Sequence, residues 1–351
     1  MKCKVVFVTD TLLSGGAERV ISVVANSLSL EYQVEIICLR NKDVFYEIAP
    51  SIRVLSLPDC SWVKKFILLR KVLAESHTNV VIAFMRNVYE FTMMASLGLG
   101  LSIVPCERVD PKIAPFFSKI IRGLLLPFAS KFVVQTDEMK DYFRKSIQKK
   151  TIVIANPVDD SFLREPVAFE DRDDIIVSVG RLAPQKDFKT LIRAFSFISD
   201  QFPSYSLVIY GEGPQRDELQ SYIKSMGLEE RVKLPGRSNE IYKELSKSKV
   251  FAQTSLFEGM SNAVIEAVCS GLPIVTTAVS GAKQIVKENV NGFIVGVGKD
   301  GEVANRIEQL ISNISLLKRF SEASYNMRDL YRIESVSEEW KILINEVNNY
   351  E

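Results

Sequence analysis

At 351 residues the chain is long for one core and suits two domains. Its 47% hydrophobic and 25% charged residues are ordinary for a globular protein, but the net charge of +1 hides an asymmetry. Residues 1–165 hold 22 Lys/Arg and 17 Asp/Glu (+5), leaving 22 and 26 (−4) for the remainder. That excludes the single continuous positive surface a nucleic-acid binder needs, while a basic half is compatible with anionic lipid.

The five cysteines, Cys3, Cys38, Cys60, Cys106 and Cys269, are odd in number and scattered, which supports neither a disulfide framework nor a zinc site. They read as buried thiols in a reducing cytosol. Met-Lys-Cys-Lys followed by Val5–Val8 reads as a strand, not a secretory signal. The longest uncharged run, Phe91 to Cys106, has 16 residues and falls short of the ~20 that span a bilayer. The expectation is a cytoplasmic protein, soluble or peripheral at the inner face of the cytoplasmic membrane.

Along the chain, short apolar runs alternate with helix-length stretches. Strands are expected at Lys4–Thr9, Gln33–Leu39, Ile52–Leu57, Val80–Phe84, Leu101–Cys106, Lys131–Gln135 and Thr151–Ile154. Helices such as Ala17–Leu30, Lys64–Ser76 and Asp137–Lys145 fall between them. The strand runs are continuously apolar, as strands covered on both faces require. Residues Ala155–Asp173, with two prolines and six acids, break the rhythm and read as a linker. Strands then resume at Ile175–Gly180, Tyr205–Gly211, Val232–Leu234, Val250–Gln253 and Pro273–Thr277, and a closing helix starts near Val336. The fold class expected is α/β, with two doubly wound, Rossmann-like parallel-sheet domains facing a central cleft. The domains are expected at residues 1–160 and 161–335, with a helix over 336–351 packing back on the first.

Elimination narrows the chemistry. The only histidine, His77, lies in a polar turn, so imidazole metal sites and Ser-His-Asp mechanisms have no support. There is no P-loop, and Gly211-Glu212-Gly213 lacks the third glycine of a dinucleotide fingerprint. Asp171-Arg172-Asp173 has metal-binding spacing but sits ahead of a strand, where a solvated turn is the plainer reading.

Three strand-to-helix junctions remain. In the first, Gly15-Gly16 opens a helix, where backbone amides can approach an anion or simply form a tight turn. In the second, Arg181 and Lys186 follow the strand IIVSV, able to clamp phosphate or to stand as a surface charge pair. In the third, Glu258 precedes a helix that contains Glu266, with Met260, Ser261 and Asn262 opening it. Full helical rise would put the two acids up to ~12 Å apart, the span from a donor sugar to a ribose.

Together these junctions resemble family 4 of the retaining glycosyltransferases, of GT-B architecture. SGGAER is similar to that family's glycine loop, GRLAPQKDFKTLIRAF to its phosphate-binding segment, and EGMSNAVIE to its Glu-x7-Glu motif. YGEGPQRDEL and LPGR also fall where the family has equivalents. The resemblance implies that Arg181 and Lys186 hold a diphosphate, Glu258 the sugar hydroxyls and Glu266 the ribose, with Arg237 beside the base. Gly15, Gly16, Met260, Ser261 and Asn262 complete the donor site, and Arg181, Lys186 and Glu258 are the catalytic candidates. Where many members carry a histidine, this chain reads Cys106-Glu107-Arg108-Val109-Asp110-Pro111. That is nearer the Glu-Arg-Asn-Asp-Pro form of members extending surface polysaccharides. Arg108, just past a strand, is expected to face the cleft near an acceptor or phosphate.

The implied activity is metal-independent, retaining transfer of a hexose or N-acetylhexosamine from a nucleotide-diphosphate sugar, UDP favoured, without a cofactor. The acceptor is a saccharide, lipid-linked in this reading. A sugar-nucleotide epimerase and a non-catalytic sugar-nucleotide binder are the alternatives. Residues 112–131 add Lys112, Lys119, Arg122 and Lys131 beside Phe116, Phe117, Ile120, Ile121 and Leu124 at helical spacing. This reads either as a basic amphipathic helix on anionic lipid, with Trp62–Phe66 as a second contact, or as a core-facing helix.

Overall fold

The computed structural model describes residues 2–13, 15–40 and 43–348. The chain divides into two compact units, Met1–Pro157 with Ile333–Glu351, and Val158–Arg332. In the first run β1 (Lys4–Thr9), α1 (Gly16–Leu28), β2 (Gln33–Cys38), β3 (Arg53–Ser56), α2 (Trp62–Glu75), β4 (Val80–Phe84), α3 (Arg86–Ser96), β5 (Ser102–Cys106), α4 (Phe116–Leu125), β6 (Phe132–Val134), α5 (Asp137–Asp141), α6 (Lys145–Gln148) and β7 (Thr151–Val153). In the second run β8 (Ile175–Val179), α7 (Phe188–Ser196), β9 (Ser206–Tyr210), α8 (Arg216–Ser225), β10 (Val232–Gly236), α9 (Ile241–Lys247), β11 (Val250–Gln253), α10 (Asn262–Cys269), β12 (Ile274–Thr277), α11 (Ala282–Ile285), β13 (Gly292–Val295), α12 (Asp300–Ile311) and α13 (Ile314–Asn326). The chain then returns to the first unit as α14 (Ile333–Asn348).

Both sheets are parallel, in the orders β3-β2-β1-β4-β5-β6-β7 and β10-β9-β8-β11-β12-β13. Each winds outward in both directions from its first strand, so each has a switch point, between β1 and β4 and between β8 and β11. Loops leaving the carboxyl ends of such neighbouring strands diverge and leave a crevice, which is where open α/β sheets bind ligands.

The apolar runs are continuous because both faces are covered. Along β1, Val5 and Phe7 pack in one cluster with α1 and α14, while Val6 and Val8 pack in another with α2 and α3. In α14, Val336, Trp340, Leu343, Ile344 and Val347 form the buried stripe, and Ile342 points to solvent. Trp340 is fully buried and stacks on Phe84 at 5.9 Å between centroids. The second unit buries Ile176, Leu207, Ile209, Val250 and Ala252 against Phe188, Leu191, Ile192 and Phe195 of α7.

Several expectations need correction. The acidic stretch before β8, read as the linker, does hold the division between the units, but most of it is ordered structure. The division falls at its start, Phe162 is buried, and Asp173 N–H donates to Lys247 O at 2.8 Å. Within Asp171-Arg172-Asp173 the arginine turns inward, donating to Gly271 O at 2.9 Å and Val167 O at 3.1 Å. Burial pushes its pKa down to about 10. The helix expected over Asp137–Lys145 is two short ones, α5 and α6, and β13 is an additional strand. The sharp turn at His77 takes φ = 49°, and α14 begins ahead of Val336.

Candidate active site

The loops that leave β8 and β11 bring Lys186 and Glu258 together. After β8 the chain makes a short 3₁₀ turn over Pro184–Lys186, and Asp187 in a left-handed conformation (φ 45°, ψ 48°) redirects it into α7. Pro184 presets the first turn position, and aspartate tolerates positive φ better than most residues. Asp187 is held in place by Thr190 Oγ1, which donates to its Oδ2 at 2.7 Å, and by Thr254 Oγ1, which donates to its carbonyl at 2.9 Å. Leu256 N–H donates to Gln185 O at 2.8 Å, and Gln185 Nε2 donates to Phe257 O at 2.9 Å, so the two loops are laced along their backbones.

Lys186 Nζ then lies 2.6 Å from Glu258 Oε1, the side chains only 15% and 11% exposed. Neither partner of so buried a pair can be removed without leaving the other charge uncompensated. Arg181 is exposed and, among the described residues, makes no ion pair. Met260 and Ser261 are buried, Asn262 is half-buried, and Glu266 is buried on α10. Only the steps from Asn262 to Glu266 are helical, about 6 Å of rise. Glu258 precedes the helix, as expected, and the loop Glu258–Ser261 sets the rest of the separation between the two acids.

Glycines weld a third loop to these two. A Cβ on Gly211 (φ 147°) would lie 1.9 Å from Gly180 O, and one on Gly213 would lie 2.3 Å from Leu182 O. Gly180 N–H donates to Tyr210 O at 3.0 Å, Leu182 N–H to Glu212 O at 3.0 Å and Gly211 N–H to Gly236 O at 2.8 Å. The Gly-x-Gly after β9 is therefore a close-packing device that holds the Arg181–Lys186 loop. Arg237, one residue beyond Gly236, is exposed beside it.

The remaining candidates lie in the first unit. Gly15 caps α1 with extended backbone, and a Cβ there would meet Glu18 Oε2 at 2.2 Å. The Glu18 carboxylate itself thus sits against the loop that Gly15 and Gly16 form, and burial raises its pKa. Arg108 does not project from the strand's end as expected. It is buried, its guanidinium 4.4 Å over Phe84 and 5.9 Å from Trp340, with Nη1 donating to Asn156 Oδ1 at 2.9 Å. Desolvation lowers its pKa.

The family model described as "Glycosyl transferases group 1" matches residues 159–327, nearly all of the second unit. A Campylobacter jejuni enzyme named as an alpha-1,4-N-acetyl-D-galactosaminyltransferase acting on a diNAcBac-PP-undecaprenol-linked GalNAc disaccharide is 28% identical. That match covers 99% of each chain. The chain is a glycosyltransferase. A second Campylobacter jejuni enzyme, named as an N-acetylgalactosamine-N,N'-diacetylbacillosaminyl-diphospho-undecaprenol 4-alpha-N-acetylgalactosaminyltransferase, is 29% identical over 88% of this chain and 90% of its own. Among solved structures, Anabaena HepE in complex with UDP superposes with a TM-score of 0.83 at 18% identity, over 98% of this chain and 100% of that one. The transferase shares the GT-B architecture.

Two sets of polar residues in the transferase went unassigned in the sequence reading. Gln253 and Ser255 surround Glu258, and their one signal is a polar end to the apolar run VFAQ. In the first unit, Glu107 is fully buried, and its Oε2 accepts from Tyr89 at 3.0 Å, Arg86 at 3.2 Å and Arg122 at 3.3 Å. Arg122 is therefore an interior cation and not part of a basic surface. Lys112 pairs with Glu138 at 2.7 Å and Lys131 with Glu346. Of the four cations in residues 112–131, only Lys119 makes no ion pair among the described residues. Also among the described residues, no group of three or more His, Cys, Asp or Glu is gathered as a metal ion would need.

The glycine weld can be tested by its cost. Gly211→Ala should lose at least about 3 kcal/mol in urea unfolding, the upper end of overpacking costs, because the new methyl meets backbone. Gly227→Ala, at φ 66° with open space around it, should lose only about 1 kcal/mol. Equal losses would show that the backbone angle alone matters and that the loops are not welded by close approach.

Proposed function

We propose that the chain transfers a hexose or N-acetylhexosamine from a UDP-sugar to a lipid-linked saccharide with retention of configuration. In this reading the second unit binds the donor and the first the acceptor. One observation carries it, the Lys186–Glu258 pair held between the β8 and β11 loops at the sheet's switch point. Lys186, with Arg181 on the same loop, meets the charge that grows on the leaving diphosphate. Glu258 accepts from sugar hydroxyls, Glu266 from the ribose, and the backbone over Met260–Asn262 opens the helix toward phosphate. Arg237 lies beside the base. With these cations in place, the diphosphate oxygen itself takes the acceptor's proton on the face the sugar leaves, and no metal ion is required. The undecaprenol-linked acceptors named for the relatives and the UDP held by the structural neighbour support the substrate classes. Arg108 has no direct part, since its guanidinium is buried.

A lipid-linked acceptor is reached at a bilayer, and α4 suits that place because it is built inside out. Its polar side faces the core: Ser118 Oγ donates to Glu90 Oε1 at 2.6 Å, and Arg122 reaches Glu107. Burial raises the Glu90 pKa. The apolar side faces outward, with Phe116 72%, Phe117 77% and Leu124 67% exposed, and Phe128 continues it. On α2, which lies on the same sheet face, Trp62, Val63 and Ile67 are exposed as well. Among the described residues no helix is long and apolar enough to cross a membrane. An interfacial seat is the proposed role, with apolar insertion and not basic charge as its main drive.

Kinetics test the donor reading. Arg181→Ala and Lys186→Ala should each lower kcat on the order of 10²–10³-fold, non-additively because both act on one diphosphate. Glu266→Ala should chiefly weaken nucleotide affinity, since the ribose does not change charge. All should hold in EDTA. Activity lost to chelation and restored by manganese or magnesium would reject the metal-free mechanism, and sugar conversion without nucleotide release in the absence of acceptor would identify an epimerase.

Sedimentation with anionic liposomes tests the seat. Replacing Phe117 and Leu124 together by Ser should weaken binding at least about 10-fold, each buried side chain contributing roughly 1.5–3 kcal/mol. Wild-type binding should survive high salt. Binding that disappears in salt and ignores the double substitution would make the contact electrostatic.

A further inference from the structure

Glu258 is held by more than Lys186. Gln253 ends β11 after three buried apolar residues and is itself 2% exposed, so its amide must be satisfied locally. Its Nε2 donates to Ser255 Oγ at 2.8 Å and to Glu258 Oε1 at 3.3 Å, and its Oε1 accepts from Ser261 Oγ at 2.7 Å. Ser255 Oγ in turn donates to Glu258 Oε1 at 2.8 Å. The sense of the amide is fixed, because reversed it would set its carbonyl oxygen against a carboxylate. Ser261 occupies the N-cap position of α10, yet its hydroxyl caps no helix amide because it is committed to Gln253.

The result is a carboxylate with one orientation. Oε1 of Glu258 accepts from Lys186, Ser255 and Gln253, whereas among the described residues Oε2 has only a long 3.4 Å contact from Gln185. Oε2 is the oxygen left to accept from a ligand hydroxyl.

We propose that Gln253 is a positioning residue for sugar transfer. Braced by Ser261 on one side and acting with Ser255 on the other, it sets the Glu258 carboxylate against Lys186 and turns Oε2 to the sugar. This rests on the reading of Lys186 and Glu258 as donor-site groups. Gln253 touches no reacting atom, so its effect travels through Glu258 and belongs to turnover more than to nucleotide binding.

The experiment is a double-mutant cycle on the full chain, using whichever donor in a panel of UDP- and GDP-sugars turns over best. Gln253→Leu should lower kcat on the order of 10- to 100-fold, as expected for losing a hydrogen bond to a charged group. Affinity for UDP alone should stay near wild type. In a Glu258→Ala background the same change should cost less than 2-fold, roughly the limit of independent effects. Ser261→Ala, which releases the amide oxygen, should lower kcat in the same direction by a smaller factor, and it stands in if Gln253→Leu does not fold. If Glu258→Ala lowers kcat but Gln253→Leu costs equally in both backgrounds, Gln253 is packing alone and the donor-site reading survives. If Glu258→Ala leaves kcat unchanged, the donor-site reading fails and the role of Gln253 fails with it.

Discussion

A nearly buried ion pair, Lys186 with Glu258, is the contact on which the second unit's site depends. Charges withdrawn from water this far are tolerated only where hydrogen bonds complete them, and here Ser255, Gln253 and Gln185 do so. The pair exists because β8 and β11 are neighbours whose connections leave in opposite directions. Each loop is then stiffened separately, one by the left-handed Asp187 and the glycine weld to β9, the other by Thr277 Oγ1, which donates to Ser255 O at 2.7 Å. A cation fixed in this way needs little reorganisation when charge appears on a leaving group, which is how preorganised polar sites lower barriers.

The first unit is organised around buried charge as well, to a different end. Glu107 gathers Arg86, Tyr89 and Arg122 where β5 ends, and the next residue, Arg108, lies against Phe84 and Trp340. Because Trp340 belongs to α14, that guanidinium helps join the end of the chain to the sheet. Drawing Arg122 inward is also what leaves the aromatic side of α4 to face outward.

Most of the framework was legible in the sequence, since strands covered on both faces must be apolar at every position, and β1, β4 and β11 have the limits their residues imply. β13 was not legible. It starts at Gly292, whose hydrogen faces Ile274 O where a Cβ would come within 2.3 Å, and a four-residue GFIV run is a weak pattern. The acids and prolines of Ala155–Asp173 resemble a linker, but from Val158 on the stretch belongs to the second unit, with Phe162 and Arg172 buried. The site was legible as junctions and not as contacts. Motif order placed Arg181, Lys186 and Glu258 on loops, whereas the pairing of Lys186 with Glu258 depends on strand order, which local sequence does not encode. For Arg108 and Arg122, position beside a strand end or on an amphipathic helix gave no sign that buried rings and acids would draw the guanidinium groups inward.

In the proposed mechanism the polarity of the Lys186–Glu258 pair, not merely its presence, makes the donor site. Exchanging the two residues, Lys186→Glu with Glu258→Lys, keeps an ion pair between the same loops and reverses the charge presented to a diphosphate. Sugar transfer measured alongside urea unfolding separates the two properties. A folded chain is expected, less stable than wild type by about 1–3 kcal/mol because Gln253 and Ser255 then face an ammonium, and its transfer should fall at least as far as a lost charge-assisted contact requires, on the order of 10²-fold or more. Transfer retained at near wild-type rate in the exchanged variant would contradict it.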